Sequence, residues 1–307
     1  MSDVQIVEVA PRDGFQPIGP FIPTPVKIAH VEALLGAGLR RMEIGSFVSP
    51  RAIPQLADTR EVVKAIGARP GTRLSVLVPN EKGARLAVDA GVREIVWVIS
   101  ASEWHNKSNV NRTVDESLAD FARAVEALSD LEINWRFNLA TSFDCPTLGR
   151  TGPDKVYRVL DKVVSLLPFC EIGLCDSTGR AFPDQIADLC TGAVERFDDE
   201  SLTFAFHGHD TYGLGVANAL AAWQAGIRVF DSSAAGLGGC PFAPGATGNT
   251  ATEDLVFAFE NMGVTTGVDL SRLLLACDGL ATIPGASLGG HLRAVPRNRA
   301  LADHAVA

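Results

Sequence analysis

The strongest indication of chemical function is the spacing of His207 and His209, which are separated by a single glycine. Residues two apart on a β-strand point to the same face, so these two imidazoles can bind one ion together. Asp13 and Asn249 offer a carboxylate and an amide oxygen from other parts of the chain. This mixed nitrogen and oxygen set suits Mg, Mn or a similar divalent ion better than a closed structural zinc site. The alternative is that one histidine is only a buried, hydrogen-bonded core residue.

Three further side chains could act beside such an ion. Glu8 and Glu43 fall in otherwise apolar runs, where an ionised carboxylate is costly unless a cation or a hydrogen-bond donor accompanies it. Either could instead serve structure by pairing with an arginine across the core. Cys240 lies in residues 236–249, a glycine-rich stretch whose composition indicates a mobile loop that closes over a site. The alternative there is a structural loop with an incidental thiol.

Short β-rich runs alternate with segments that have apolar residues at helical spacing. The predicted strands are residues 4–9, 41–47, 73–79, 94–100, 134–140, 170–176, 202–208 and 229–235. The predicted helices are residues 24–37, 53–67, 81–90, 115–129, 153–167, 183–197, 213–225, 250–262 and 269–280. Eight such units predict an α/β fold, a single (β/α)8 TIM barrel over residues 1–285, with a short C-terminal helical extension in a tail at 286–307. A doubly wound open sheet is the alternative, but it would need Gly-x-Gly-x-x-Gly after the first strand, where this chain has Pro11-Arg12-Asp13-Gly14.

The barrel predicts where the chemistry lies, because active sites of this fold sit at the carboxyl ends of the strands. Arg12 and Asp13 follow the first predicted strand, and Asp176 ends the sixth. The histidine pair ends the seventh, and Asn249 lies beyond the eighth. We therefore expect these side chains to meet at one rim of the barrel.

The composition of the chain argues against several classes of protein. The chain has 307 residues, 47% of them hydrophobic, and a formal net charge of -9, so it can fill a large core and is a poor partner for nucleic acid or anionic lipid. No apolar run is long enough for a membrane span, and the N-terminal residues lack the pattern of a secretory signal. Six scattered cysteines without a Cys-x-x-Cys pair predict reduced thiols. A cytoplasmic protein is expected.

Several long motifs together resemble the 3-hydroxy-3-methylglutaryl-CoA lyase family, part of a barrel superfamily of metal-dependent acyl-CoA lyases and Claisen-type synthases. The resemblance covers residues 4 to about 280. The motifs that carry it are VEVAPRDGFQ at 7–16, EIGSFVSPRAIPQLAD at 43–58, HGHDTYGLGVAN at 207–218 and VFDSSAAGLGGCPFAPGATGNTATEDLV at 229–256.

The resemblance implies a lyase that cleaves 3-hydroxy-3-methylglutaryl-CoA, or a closely related 3-hydroxyacyl-CoA, to acetyl-CoA and a keto acid. It implies a divalent cation, Mg or Mn, held by Asp13, His207, His209 and Asn249. It also implies catalytic roles for Cys240, Arg12, Glu43 and Asp176, and substrate binding by Arg12 and Gln16. The base for the hydroxyl proton stays open between Asp13, His207 and a metal-held hydroxide. An acyl-CoA thioester is the expected substrate partner, and a homodimer or higher homo-oligomer is the expected assembly.

The chain departs from the family pattern at three places. The neutral Phe15-Gln16-Pro17-Ile18-Gly19 replaces a charged stretch, and Gly208 stands where a cysteine is common. Trp104 and His105 add two rings to a rim loop at residues 102–106. We therefore expect an apolar, differently shaped acyl pocket beside Phe15, in which at least one analogue with another 3-substituent is also cleaved. The alternative is that these changes are neutral and surround an ordinary methylglutaryl pocket.

Other functions fit the same fold. A Claisen-type synthase such as the isopropylmalate or homocitrate synthases would share the Arg-Asp pair and the His-x-His, but those enzymes typically lack the Gly-Gly-Cys-Pro found here at 238–241. A metal-dependent aldolase is a further alternative. A catalytically silent acyl-CoA-binding barrel is a distant one, because it would not need the complete metal set together with Arg12 and Cys240.

Overall fold

A closed barrel of eight parallel strands forms the centre of the protein, as the sequence predicts. The computed structural model describes residues 3–199, 201–239 and 248–302. The barrel strands are β1 (Gln5–Glu8), β2 (Arg41–Ser46), β3 (Arg73–Val78), β4 (Glu94–Ser100), β5 (Asn134–Ala140), β6 (Glu171–Asp176), β7 (Thr203–Gly208) and β8 (Val229–Ser232). Each strand pairs with its neighbours in chain order, and β8 closes the ring on β1.

Helices surround this barrel and cover the outer faces of its strands. They are α1 (Thr24–Gly36), α2 (Thr59–Ile66), α3 (Glu81–Asp89), α4 (Glu103–Val110), α5 (Val114–Ala127), α6 (Pro153–Leu166), α7 (Pro183–Arg196), α8 (Gly215–Gln224), α9 (Thr252–Asn261), α10 (Leu270–Leu280) and α11 (Arg297–Ala300). Thr113 and Glu116 form a capping box that starts α5, and proline opens α6 and α7 where its missing N–H is harmless.

The barrel interior is closed at its amino end by buried ion pairs. Arg41 on β2 binds Glu171 on β6 through two hydrogen bonds of 2.8 and 3.0 Å, and it reaches Glu94 on β4 at 3.1 Å. Arg136 on β5 approaches the same Glu171 at 3.2 Å. Charged groups taken out of water require such partners, so this layer fixes the relative positions of four strands.

Four local elements differ from the sequence-based expectation. A π-helix, Ala10–Gly14, directly follows β1. The rim segment expected to be a loop after β4 is α4, whose first turn is capped by the Ser102 hydroxyl. The predicted helix 53–67 is a short 3-10 turn, Pro54–Leu56, followed by α2, and a two-stranded hairpin, Asp144–Cys145 with Gly149–Arg150, follows β5.

The C-terminal extension packs back on the barrel through a 3-10 turn, Leu292–Ala294, and the short α11. The Gly289 amide donates to the Ala235 carbonyl at 2.9 Å, which joins this segment to the turn that follows β8. The domain boundary expected at residue 285 stays a prediction. In the described part of the chain, every helix is too short or too polar to traverse a lipid bilayer.

Candidate active site

The two histidines lie side by side at the carboxyl end of β7, where the rule for this fold predicts chemistry. Their ring centroids are 5.3 Å apart. Asp13, from the π-helix, joins them, and one potential ligand atom from each of the three residues lies within 4.8 Å of the others. Asn249 pairs with His209 in an isolated β-bridge, and its side-chain amide nitrogen donates to Asp13 Oδ2 at 2.9 Å. The structure thus brings all four predicted metal ligands together.

The chemistry of this cluster fits a divalent cation. Burial alone would raise the pKa of Asp13, but Arg12 and the two histidines outweigh it and hold that pKa well below its usual range. Burial, together with the neighbouring His207, lowers the pKa of His209 to about 4. An ionised carboxylate therefore stands beside a neutral imidazole. His209 Nδ1 and Asn249 Oδ1 are buried without a hydrogen-bond partner among the described residues, which leaves acceptor atoms available for an ion.

Arg12 is held by two carboxylates. Its Nε and Nη2 donate to the two oxygens of Glu43 at 2.8 and 3.0 Å, and Nη1 donates to Asp13 Oδ1 at 2.5 Å. A guanidinium group carries five N–H donors, so two make no hydrogen bond to the described residues and can bind another molecule. Burial raises the pKa of Glu43, and the Arg12 charge offsets that rise only in part. Glu43 thus has the arginine partner that the sequence analysis considered, and that arginine faces the site.

A chain of buried polar groups, which the sequence reasoning missed, orients His207. Asp231 on β8 lies 3.1 Å from His207 Nδ1, and its other oxygen accepts from Arg136 on β5 at 2.7 Å. Burial opposes the charged form of His207, but the hydrogen bond and the charge of Asp231 raise its pKa overall. The available signal was a charged residue next to large apolar residues in each of two predicted strands, VFDS and NWRFNLA, similar to the signal that marked Glu43.

These groups open into a cavity of about 1050 Å³ at the carboxyl ends of the strands. That volume is at the upper end of the range for small-molecule sites. Its polar lining includes Arg12, Asp13, Gln16, His105, Asn109, Asn138, Cys175, Ser177, His207 and His209. Gln16 is exposed and lines the cavity as the substrate-binding prediction requires. The lining residues come from at least five strands and the segments that follow them.

Two predicted catalytic residues are not placed beside this cluster. Asp176 ends β6, but its carboxylate accepts from the Ala181 amide at 3.2 Å and lies near Thr178, and it is not among the cavity-lining residues; its strand neighbour Cys175 is. Burial raises the pKa of Asp176 to about 6. Cys240 lies outside the described residues. The residue before it, Gly239, lines the cavity. Both catalytic assignments stay predictions.

The departures from the family pattern fall in different surroundings. Phe15 is fully buried against His30 in the hydrophobic core and does not line the cavity, so its expected place beside the acyl group is wrong. Pro17, Ile18 and Gly19 do line it. On α4, His105 lines the cavity, whereas Trp104 is exposed and does not.

Gly208 is required by its surroundings. A Cβ at this position would lie 2.7 Å from an atom of the Phe206 ring, so the ring fills the space that a side chain would need. The glycine carbonyl also accepts from the Thr250 amide at 3.0 Å and from its hydroxyl at 2.9 Å.

The fold and the site together define an enzyme built on a (β/α)8 barrel. Its reactive groups surround a cluster of one carboxylate and two imidazoles at the carboxyl ends of the strands. The HMGL-like family model matches residues 3–278. The chain belongs to that family.

Individual relatives agree with this class. The chain is 44% identical over 275 residues to mitochondrial hydroxymethylglutaryl-CoA lyase of Bos taurus, covering 90% of this chain and 84% of the relative. It is 40% identical over 298 residues to (R)-citramalyl-CoA lyase of Chloroflexus aurantiacus, covering 94% and 93%. A solved HMG-CoA lyase from Acinetobacter baumannii, in complex with coenzyme A and 3-methylmalate, matches with a TM-score of 0.90 and 39% identity over 96% of this chain and 95% of the other. The prediction of a hydroxymethylglutaryl-CoA lyase-like enzyme is confirmed.

Proposed function

We propose that the protein cleaves a tertiary 3-hydroxyacyl-CoA thioester, 3-hydroxy-3-methylglutaryl-CoA first, to acetyl-CoA and a keto acid. The observation that carries this proposal is the placement of Arg12 and Asp13. Two adjacent residues of one π-helix present a cation and a carboxylate to the same cavity, next to the two histidines. The CoA complex of the Acinetobacter relative supports an acyl-CoA substrate.

Asp13, His207, His209 and Asn249 would hold a divalent cation, Mg or Mn. When bound, such an ion supplies positive charge that stabilises the negative oxygen formed as the carbon–carbon bond breaks. Asp231 holds the ring of His207 in place for this role, and the ionised Asp13 supplies the anionic ligand.

The remaining steps fall to this chain's own groups. A base takes the proton of the substrate hydroxyl, the C2–C3 bond breaks, C3 becomes a carbonyl, and the bonding electrons pass into the thioester as an enolate. The two unused N–H groups of Arg12 can donate to the thioester oxygen, where that negative charge develops. The Cys240 thiol then gives its proton to C2 and completes acetyl-CoA.

A second substrate is favoured by a specific observation, the similarity to a citramalyl-CoA lyase over nearly the whole chain. Citramalyl-CoA has one methylene fewer between the hydroxyl-bearing carbon and the free carboxylate. A methylene changes transition-state binding by only about 1–3 kcal/mol, so we expect both thioesters to be cleaved at rates that differ by roughly 10–200-fold.

The test is to incubate the purified protein with Mg or Mn and a panel of thioesters, and to measure acetyl-CoA. The panel includes the hydroxymethylglutaryl, citramalyl and unsubstituted 3-hydroxyacyl compounds. Chelator and the Arg12→Gln variant are the negative controls, and an assay for free CoA from acetyl-CoA plus a 2-keto acid tests the synthase alternative. The proposal is wrong if no thioester yields acetyl-CoA, or if turnover persists in excess chelator.

A further inference from the structure

Glu8, the last residue of β1, is a buried carboxylate without a cationic partner in the described part of the chain. It accepts three hydrogen bonds instead. Its Oε1 accepts from the Ala10 amide at 2.8 Å and from the Ala234 amide at 2.9 Å, and its Oε2 accepts from the Thr252 hydroxyl at 2.8 Å. The arginine partner considered for Glu8 in the sequence analysis is therefore replaced by neutral donors.

Each of the three donors begins a segment that leads to the site. Ala10 begins the π-helix that carries Arg12 and Asp13. Ala234 begins a 3-10 turn, Ala234–Gly236, which runs into the cavity-lining Gly238 and Gly239. Thr252 begins α9 three residues after Asn249. One carboxylate thus joins three segments that are far apart in the sequence.

The turn at Ala234–Gly236 needs such support. Ala235 has φ 59° and ψ 19°, a left-handed conformation that non-glycine residues rarely adopt. Its amide donates to Glu253 Oε2 at 3.0 Å. Strained backbone persists only where its surroundings hold it, and here two consecutive amides are held by two buried carboxylates.

We propose that Glu8 is a positioning residue that fixes the π-helix, the turn after β8 and the start of α9 relative to one another, and so sets the geometry of the cation ligands Asp13 and Asn249. The inference rests on the proposed function, which assigns Asp13 and Asn249 the role of cation ligands. Glu8 does not line the cavity and touches no ligand side chain directly, so its effect passes through the backbone.

Two substitutions separate hydrogen bonding from charge. In Glu8→Gln, the amide oxygen can accept from both backbone N–H groups while its NH₂ donates to the Thr252 hydroxyl, so all three contacts survive. Glu8→Leu keeps the size of the side chain and removes every acceptor. Thr252→Val keeps the shape of the side chain but removes the hydroxyl that contacts Glu8, and with it the contact to the Ser232 hydroxyl at 2.9 Å. Glu94→Gln is the matched control, because it alters a buried carboxylate at the opposite end of the barrel.

Two readouts apply, Mn²⁺ affinity by titration and hydrogen exchange of the backbone amides at residues 10–14 and 234–237. We expect Glu8→Leu to weaken Mn²⁺ binding by about 10–100-fold and to accelerate exchange in both segments, with Glu8→Gln and Glu94→Gln within about threefold of wild type. Thr252→Val should weaken Mn²⁺ binding severalfold. Circular dichroism and the melting temperature establish which variants are folded.

A folded Glu8→Leu with wild-type Mn²⁺ affinity and exchange would overturn the proposal. If Glu8→Leu does not fold, wild-type values in Thr252→Val would overturn it equally. If the unaltered protein binds no Mn²⁺, hydrogen exchange alone decides. Neither readout depends on which thioester is cleaved, so a failure of the lyase assay contradicts the proposed function without affecting this comparison.

Discussion

Asp231 determines which nitrogen of His207 faces the cavity. Its carboxylate accepts a hydrogen bond from Nδ1–H, so the neutral ring carries its lone pair on Nε2, where a cation can bind. Asp231→Asn can turn an NH₂ toward Nδ1 and favour the other tautomer, so we expect Mn²⁺ affinity to fall about 10–100-fold with the fold intact. Titration with Mn²⁺ measures this. Asp161→Asn, at an exposed ion pair with Arg196, is the control, and equal affinities in the two variants would contradict the role of Asp231.

Cys240 is predicted to act on the enolate and not on the cation. Cys240→Ser should therefore retain Mn²⁺ affinity and lower the rate of the chemical step by roughly 10²–10⁴-fold, the usual effect of removing a positioned acid. Single-turnover kinetics with a cleaved thioester provide the measurement. Cys190→Ala, in the buried face of α7, is the control and should turn over normally. A fully active Cys240→Ser would assign the proton donor to another residue.

Phe15 is buried away from the cavity, so we expect residues of other elements to determine which thioester the protein prefers. Because its ring packs in the core beside α1, Phe15→Leu should lower the free energy of unfolding by about 1–3 kcal/mol and leave relative kcat/KM values for different thioesters unchanged. Urea denaturation and the thioester panel measure the two effects. His105→Leu, on the cavity wall formed by α4, is the comparison and should alter the ratios. If the kcat/KM ratios change in Phe15→Leu and not in His105→Leu, the original prediction of an acyl pocket beside Phe15 is supported.

How far the sequence predicts each element depends on the range of the interactions that form it. His207 and His209 share a face because of strand periodicity, and the strand ends place Asp13 and Asn249 near them, so the cluster could be predicted. The π-helix could not be predicted, because Pro11-Arg12-Asp13-Gly14 is too short to show a helical repeat of apolar residues. The pair Arg136–Asp231 joins residues 95 positions apart and depends on barrel register, which no local pattern contains.

At the scale of the whole molecule, buried acids make stability depend on pH. Burial raises the pKa of Glu8 from 4.5 to about 7, so the folded state binds this proton more tightly than the unfolded state. The resulting stabilisation is fully present below about pH 4.5 and is lost as the pH rises through 7. Glutamine does not titrate. We therefore expect the unfolding free energy of wild type, relative to Glu8→Gln, to fall by about 3 kcal/mol over that interval.

Urea denaturation of both proteins without metal, from pH 4.5 to 8, measures this difference. Glu253, whose pKa burial also raises to about 7, interacts with Glu8 and should broaden the transition. A difference that stays constant across the range would show that Glu8 is ionised in the folded protein even at low pH. Homo-oligomerisation and a cytoplasmic location stay predictions from the sequence.

The π-helix after β1 also limits how this family can change length. The Gly14 and Phe15 amides donate to carbonyls five residues earlier, Val9 and Ala10, so the turn contains one residue more than an α-helical turn would. Removing one residue would restore ordinary helical spacing and rotate the Arg12 and Asp13 side chains relative to the rest of the site. A substitution here alters a functional group and keeps its position, whereas a deletion or an insertion would move Arg12 and Asp13 away from the two histidines. In comparisons among relatives, we therefore expect this segment to be free of gaps even where its neighbours vary in length.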